Sequence, residues 1–196
     1  MKKVCLLLPN GFEAVEASVF SDVIGWNQEE GDGTTEIITV GTREKLRCTF
    51  AFTVLPDLLV SDVKVDDFDA LALPGGFETA GFYEDAYRED VLELIRAFDA
   101  QGKVIASICV GALVLGKSGV LHGRRATTYN LNDRIRQKQL AAYGAHVIPD
   151  QAIVVDQNII TSYNPSTAFE VAFTLLEMLT SVQNANKVRR LMGFLE

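Results

Sequence analysis

Cys109 stands in the pentapeptide Ser107-Ile108-Cys109-Val110-Gly111, directly after the apolar run Lys103 to Ile108 and before a stretch of small, helix-forming residues. A cysteine at a sharp strand-to-helix corner, with small residues two positions before and after it, has the layout of a nucleophile elbow with sulfur in place of oxygen. Bulky residues at 107 and 111 would collide in so tight a turn. The corner lifts the side chain over the sheet at the N-terminus of the next helix. The free N–H groups and positive potential there favour a thiolate. On the pentapeptide alone, a buried cysteine at a tight junction accounts for the pattern equally well.

Two other segments bear on this thiol. Leu71-Ala72-Leu73-Pro74-Gly75-Gly76 ends a second strand in two glycines, which let a backbone N–H face outward with no side chain in the way. The Gly76 and Val110 N–H groups are thus candidate oxyanion donors beside Cys109. A plain tight turn would use the same glycines. Glu13 and Glu16 open the first helix. A carboxyl touching a thiolate has its pKa raised by like charge and by burial, so it can stay protonated and donate a hydrogen bond to sulfur. Acidic residues at a helix start are also ordinary dipole chemistry, the simpler reading by sequence alone.

The elements that must position these groups follow from hydrophobic periodicity. Lys3 to Leu8, Glu36 to Val40, Ala70 to Leu73 and Lys103 to Ile108 read as buried strands. Helices are expected at Glu16 to Trp26, Glu89 to Ala100, Arg134 to Tyr143 and Ala168 to Leu179, where apolar residues recur at i, i+3, i+4 and i+7. Thr49 to Leu55 reads as part of a hairpin. Asp156-Gln157-Asn158 reads as a hairpin turn between Ile153 to Val155 and Ile159 to Thr161. A last amphipathic segment carries Val188, Leu191, Met192 and Leu195. Apolar strands alternating with helices predict a mostly parallel sheet covered on both faces. Ligands then sit at the carboxyl ends of the strands, where Asn10 to Glu16, Pro74 to Gly76 and Ile108 to Gly111 fall.

The chain has 196 residues, which suits one domain, with 182–196 read as a helical extension. Hydrophobic residues make up 48% and charged residues 22%, so disorder is not the default. Eighteen Lys+Arg against twenty-six Asp+Glu give a net charge of -8, which disfavours nucleic acid and anionic membranes as partners. No apolar run approaches the roughly 18 residues of a bilayer span, and a cytoplasmic location is expected. Cys5, Cys48 and Cys109 form no CxxC and lie near no histidine, so no metal or disulfide is expected. Cys5 reads as core. Cys48, beside Arg47 in an expected edge hairpin, reads as a surface thiol, with a dimer-contact or redox-accessible thiol as the alternative.

Gly111 to Ser118 matches the P-loop pattern G-x-x-x-x-G-K-S. It is rejected because Ala112 to Leu115 is apolar and helix-forming, where a P-loop needs a flexible phosphate cradle. No cofactor is implied.

Taken together, Asn10 to Glu16, Ala72 to Gly76, Ala106 to Ala112 and Gly123 to Thr128 resemble the ThiJ/PfpI (DJ-one) superfamily, in order and spacing, from Lys2 to about Leu179. The resemblance implies a flavodoxin-like three-layer sandwich, usually a homodimer. It makes Cys109 the elbow cysteine, Glu16 its acidic partner, and Gly76 and Val110 the oxyanion donors. It also implies ready oxidation of the cysteine to sulfinic acid. Activities in the superfamily include glyoxalase or deglycase chemistry, peptidase, isonitrile hydratase, chaperone and oxidative-stress roles.

Some positions depart from these subgroups. Val110 stands where peptidase-like members carry His and where isonitrile hydratases differ again. Tyr129 stands where many deglycase-like members have His after the paired threonines. The His-x-Glu of class I glutaminases is absent. The two histidines, His122 and His146, read as surface residues, so Tyr129 or Glu16 must serve as base. The expectation is therefore a Cys109-dependent enzyme acting on small electrophiles, glyoxalase/deglycase- or hydrolase-like. The alternatives are an oxidative-stress sensor or chaperone whose Cys109 reacts with peroxide, and a cysteine peptidase.

Overall fold

The computed structural model describes residues 1–194; Leu195 of the last amphipathic segment lies outside the described residues. In chain order the elements are β1 (Lys2–Leu8), α1 (Ala14–Glu30), β2 (Thr35–Gly41), β3 (Leu46–Arg47), β4 (Thr53–Val54), β5 (Leu58–Leu59) and β6 (Ala70–Leu73). There follow α2 (Phe82–Ala86), α3 (Glu89–Ala100), β7 (Val104–Ser107), α4 (Gly111–Ser118), β8 (Arg125–Ala126) and α5 (Ile135–Ala142). The chain closes with β9 (His146–Val147), β10 (Ile153–Asp156), β11 (Ile159–Ser162), α6 (Ala168–Leu179) and α7 (Val182–Leu191).

The central sheet has seven strands in the order β10-β11-β7-β6-β1-β2-β5. Its pairings are parallel except for the β10–β11 hairpin at one edge. From β1 the chain first builds outward through β2 and β5. It then returns to the other side of β1 and builds through β6, β7 and β11. Right-handed crossovers running in opposite directions place α1 and α3 on opposite faces of the sheet. On one face α1 packs with α6 and α7; on the other α3 packs on α4, and α4 on α5. This is the expected three-layer α/β sandwich, with β1 and β6 flanking its topological switch point.

The strand residues of β1, β6 and β7 are almost all buried, because helices cover both faces. Phe20, Phe98 and Phe173 fill the two helix layers at essentially zero exposure. The C-terminal helix α7 is tied in by a buried polar contact: the Asn184 amide donates to Asn27 Oδ1 on α1 at 2.6 Å. The Asn27 amide in turn donates to Thr35 Oγ1 at the start of β2.

Most elements fall within a few residues of expectation. The hairpin lies slightly earlier than expected, with Leu46–Arg47 pairing Thr53–Val54 across a turn that contains Thr49. Cys48 corrects the surface reading. It is 2% exposed and its thiol donates to the Phe50 carbonyl inside that turn. Arg47 projects outward while the alternate side of so short a strand faces the core. Two-residue strands β5, β8 and β9 are too short to show a period, so hydrophobic patterning does not reveal them. Gly111–Ser118 is a buried helix, not a phosphate cradle, as expected.

Candidate active site

Cys109 lies between β7 and α4 with φ of +55°. Left-handed backbone at a non-glycine residue costs roughly 1–2 kcal/mol, so the fold holds this corner in place. Gly111 shows why the corner needs a small residue: a Cβ there would stand 3.0 Å from the Leu73 carbonyl oxygen. Thr128 braces the other side, its hydroxyl donating to the Cys109 carbonyl at 2.8 Å. Cys109 as a whole is buried, with 6% exposed.

Glu16 sits in the first turn of α1 and is fully buried. The Gly75 N–H donates to its Oε2 at 2.6 Å. Its Oε1 is buried with no hydrogen-bond partner among the described residues, and the carboxyl lies close enough to the Cys109 side chain for each to affect the other's protonation. Burial and the neighbouring Glu13 carboxylate push the Glu16 pKa up to about 8, against the pull of the Gly75 N–H and the cysteine contact. Glu16 is therefore mostly protonated at pH 7.

Burial also raises the Cys109 thiol, with the charges of Glu16 and Glu13 adding to it, while the Val110 N–H pulls it down. The helix N-terminus thus favours the thiolate as the corner predicts, but desolvation outweighs it. A neutral Glu16 removes the larger of the two repulsive charges.

The Gly76 loop is held from both sides. An antiparallel bridge joins Phe12 to Gly76, closed by Glu13 N–H to Gly75 O and Phe77 N–H to Gly11 O. In such a non-hydrogen-bonded pair the Gly76 N–H points away from Phe12 and is free to meet a ligand. Val110 N is near enough that a Cβ on Gly75 would lie 3.0 Å from it.

These groups border one cleft of about 680 Å³ at the carboxyl ends of β1, β6 and β7. Cys109, Gly76, Val110 and Tyr129 all line it, with Glu16 buried beneath, so all five sequence-derived positions come together. His122 and His146 are exposed and absent from its lining. The sequence reading missed Tyr83 on α2 and Arg136 on α5, which also line the cleft. Arg136 is aimed there by an unusual turn: Asn132, Asp133 and Arg134 all have φ of +53° to +56°, and α5 starts directly after them. No local motif signals either residue, because α2 and α5 meet the cleft only through the fold.

The chain matches the family model described as "DJ-1/PfpI family" over residues 2–178. It is 28% identical over 184 residues to the glutathione-independent glyoxalase DJR-1.2 of Caenorhabditis elegans, covering 93% of this chain and 91% of that protein. The crystal structure of Drosophila melanogaster DJ-1beta superposes with a TM-score of 0.87 at 28% identity, over 100% of this chain and 99% of that one. An oxidized Toxoplasma gondii DJ-1 superposes with a TM-score of 0.82 at 26% identity, over the whole of both chains. Both likenesses run through the strand ends that carry Glu16, Gly76 and Cys109, and the protein belongs to the DJ-1/PfpI family.

Proposed function

We propose that the protein is a Cys109-dependent enzyme acting on small electrophiles, with α-oxoaldehydes as the favoured class. The observation that carries this reading is the buried, neutral Glu16 carboxyl set against Cys109 at a strained corner of an open cleft. A glyoxalase among its relatives supports the choice of electrophile.

The thiol sulfur bonds to the aldehyde carbon, and the carbonyl electron pair moves onto oxygen. The Gly76 and Val110 N–H groups meet that developing charge. The thiol proton leaves to solvent and Glu16 gives its proton to that oxygen, which makes a hemithioacetal and leaves Glu16 a carboxylate. That carboxylate carries the C–H proton from the former aldehyde carbon to the adjacent keto carbon, while the hydroxyl proton passes to the keto oxygen. The first carbon is oxidised to a thioester and the second reduced to an alcohol, so no outside oxidant is needed. Water hydrolyses the thioester, releasing a 2-hydroxy acid and restoring the thiol. Tyr129, at the cleft wall, is the second candidate to relay a proton. With no histidine at the site, turnover is expected to be weak.

The second reading is a peroxide sensor, in which Cys109 is oxidised to sulfinic acid and Glu16 hydrogen-bonds the product. The oxidized state of the Toxoplasma relative supports it. A cysteine peptidase is the third reading, disfavoured by Val110 beside the nucleophile. One experiment separates them. Methylglyoxal consumption is expected to fall to background in Cys109→Ser, and equal rates in both proteins would sink the enzyme reading. Addition of two oxygens at Cys109 under mild peroxide, with no turnover in the wild type, would favour the sensor.

A homodimer is the proposed assembly. The β3–β4 hairpin and the segment after it expose Phe50, Phe52 and Leu55 at 60–73%, a patch of apolar area that calls for a covering surface. Phe52→Lys with Leu55→Lys is expected to give a monomer by sedimentation equilibrium, and an unchanged dimer would place the interface elsewhere.

A further inference from the structure

We propose that Arg136 and the Tyr83 hydroxyl form an anion-binding subsite beside Cys109, so that the preferred electrophiles are small α-oxoaldehydes that also bear a carboxylate. This rests on the reading of Cys109 as the attacking nucleophile.

Tyr83 lines the cleft, yet its hydroxyl oxygen is buried and has no hydrogen-bond partner among the described residues. Buried tyrosine hydroxyls ordinarily find one, so this oxygen is a donor waiting for an acceptor that enters the cleft. Burial keeps the phenol protonated, and its position feels the charges of both Arg136 and Cys109. Tyr83 thus shares the cleft lining with the cation and the nucleophile. The Arg136 guanidinium packs over the Tyr83 ring, 5.4 Å from its centre, which fixes the two groups as a unit.

Arg136 is the cationic side chain of the cleft lining. Its Nη1 meets Gln139 Oε1 at 3.0 Å, and its Nη2 meets Glu78 at 3.2 Å. The Glu78 side chain is 71% exposed, so that ion pair is weak and exchangeable. A substrate carboxylate would take the place of Glu78 on the planar fork. Glu78 would then return to water at little cost. Without Arg136, a chain of net charge -8, with Glu13 and Glu78 at this cleft, would repel such a substrate.

Iodoacetate and iodoacetamide differ by one charge at nearly equal size, so the ratio of their alkylation rates at Cys109, followed by peptide mass, reads the subsite directly. Arg136→Gln is expected to lower the iodoacetate-to-iodoacetamide ratio about tenfold or more, the usual loss for a charge-assisted contact. Tyr83→Phe is expected to lower it by less, and Arg136→Lys to restore part of it. A ratio unchanged in both Arg136→Gln and Tyr83→Phe would overturn the subsite. Should neither reagent alkylate Cys109, the nucleophile reading fails on its own. The subsite is then decided by calorimetric titration of glyoxylate into Cys109→Ser. Binding weakened about tenfold by added Arg136→Gln upholds it; no binding, or equal binding, overturns it.

Discussion

Glu16→Gln is expected to stabilise the protein at pH 7 and to leave its stability unchanged below about pH 4.5. In the folded chain the carboxyl titrates at about 8, against an ordinary value of 4.5. Between those two values the native state holds a proton that the unfolded state has released. The contribution of Glu16 to wild-type stability is therefore greatest below pH 4.5 and is lost as pH rises toward 8. At pH 7 the loss is on the order of 3 kcal/mol, at about 1.4 kcal/mol for each pKa unit crossed. Gln has the same shape and stays neutral. Its oxygen can accept from the Gly75 N–H and its amide can face the sulfur, so the gain is not spent on a new unsatisfied group. For a chain of this size the melting temperature should rise by roughly 6–12 °C at pH 7. Calorimetric melting curves from pH 4 to 9 would test this, and parallel curves for the two proteins would refute it.

The same substitution bears on catalysis. It removes the carboxylate charge that raises the Cys109 thiol, so alkylation of Cys109 should move to lower pH in Glu16→Gln. Turnover should fall, because an amide cannot carry a proton between two carbons. A variant that is more stable, has a more acidic thiol and is less active is the signature of a residue kept for chemistry at a cost in stability.

Gly76→Ala is expected to be the most damaging single methyl group in the site. Its Cβ would lie 2.3 Å from the Gly11 carbonyl oxygen and 2.5 Å from the ring of Phe82, which is fully buried. Neither neighbour is a flexible side-chain end, so the Phe12–Gly76 bridge must open. Overpacking of this kind costs about 3 kcal/mol. Separating the β1–α1 loop from the β6 loop also parts Glu16 from Gly75 and moves the Gly76 N–H off the cleft. Chemical denaturation should show the loss of stability. Activity should be lost even at temperatures where the variant remains folded. A folded variant with wild-type turnover would remove Gly76 from the oxyanion role.

Periodicity settled much of this protein in advance. Ala70–Leu73, Glu89–Ala100 and Ala168–Leu179 are legible to the residue, because each buries a continuous or regularly spaced set of apolar residues. The corner at Cys109 is legible for a related reason. A tight strand-to-helix turn leaves a mark in its own small residues, and the glycines after β6 leave another. Local geometry and local composition are then two views of one constraint.

What the sequence could not settle are properties created by distant segments meeting. Glu16 looks like an ordinary helix-start acid until β6 closes over it; burial beside Glu13 then makes it a neutral proton carrier. Cys48 looks exposed beside Arg47 until its hairpin folds over it. Tyr83 and Arg136 lie 53 residues apart, and neither bears a motif. They meet only because α2 and α5 both end at one cleft. Backbone conformation and the main apolar faces depend on near neighbours, so they are written in order along the chain. Charge state and substrate contact depend on solvent exclusion by remote residues, and only the tertiary structure decides those.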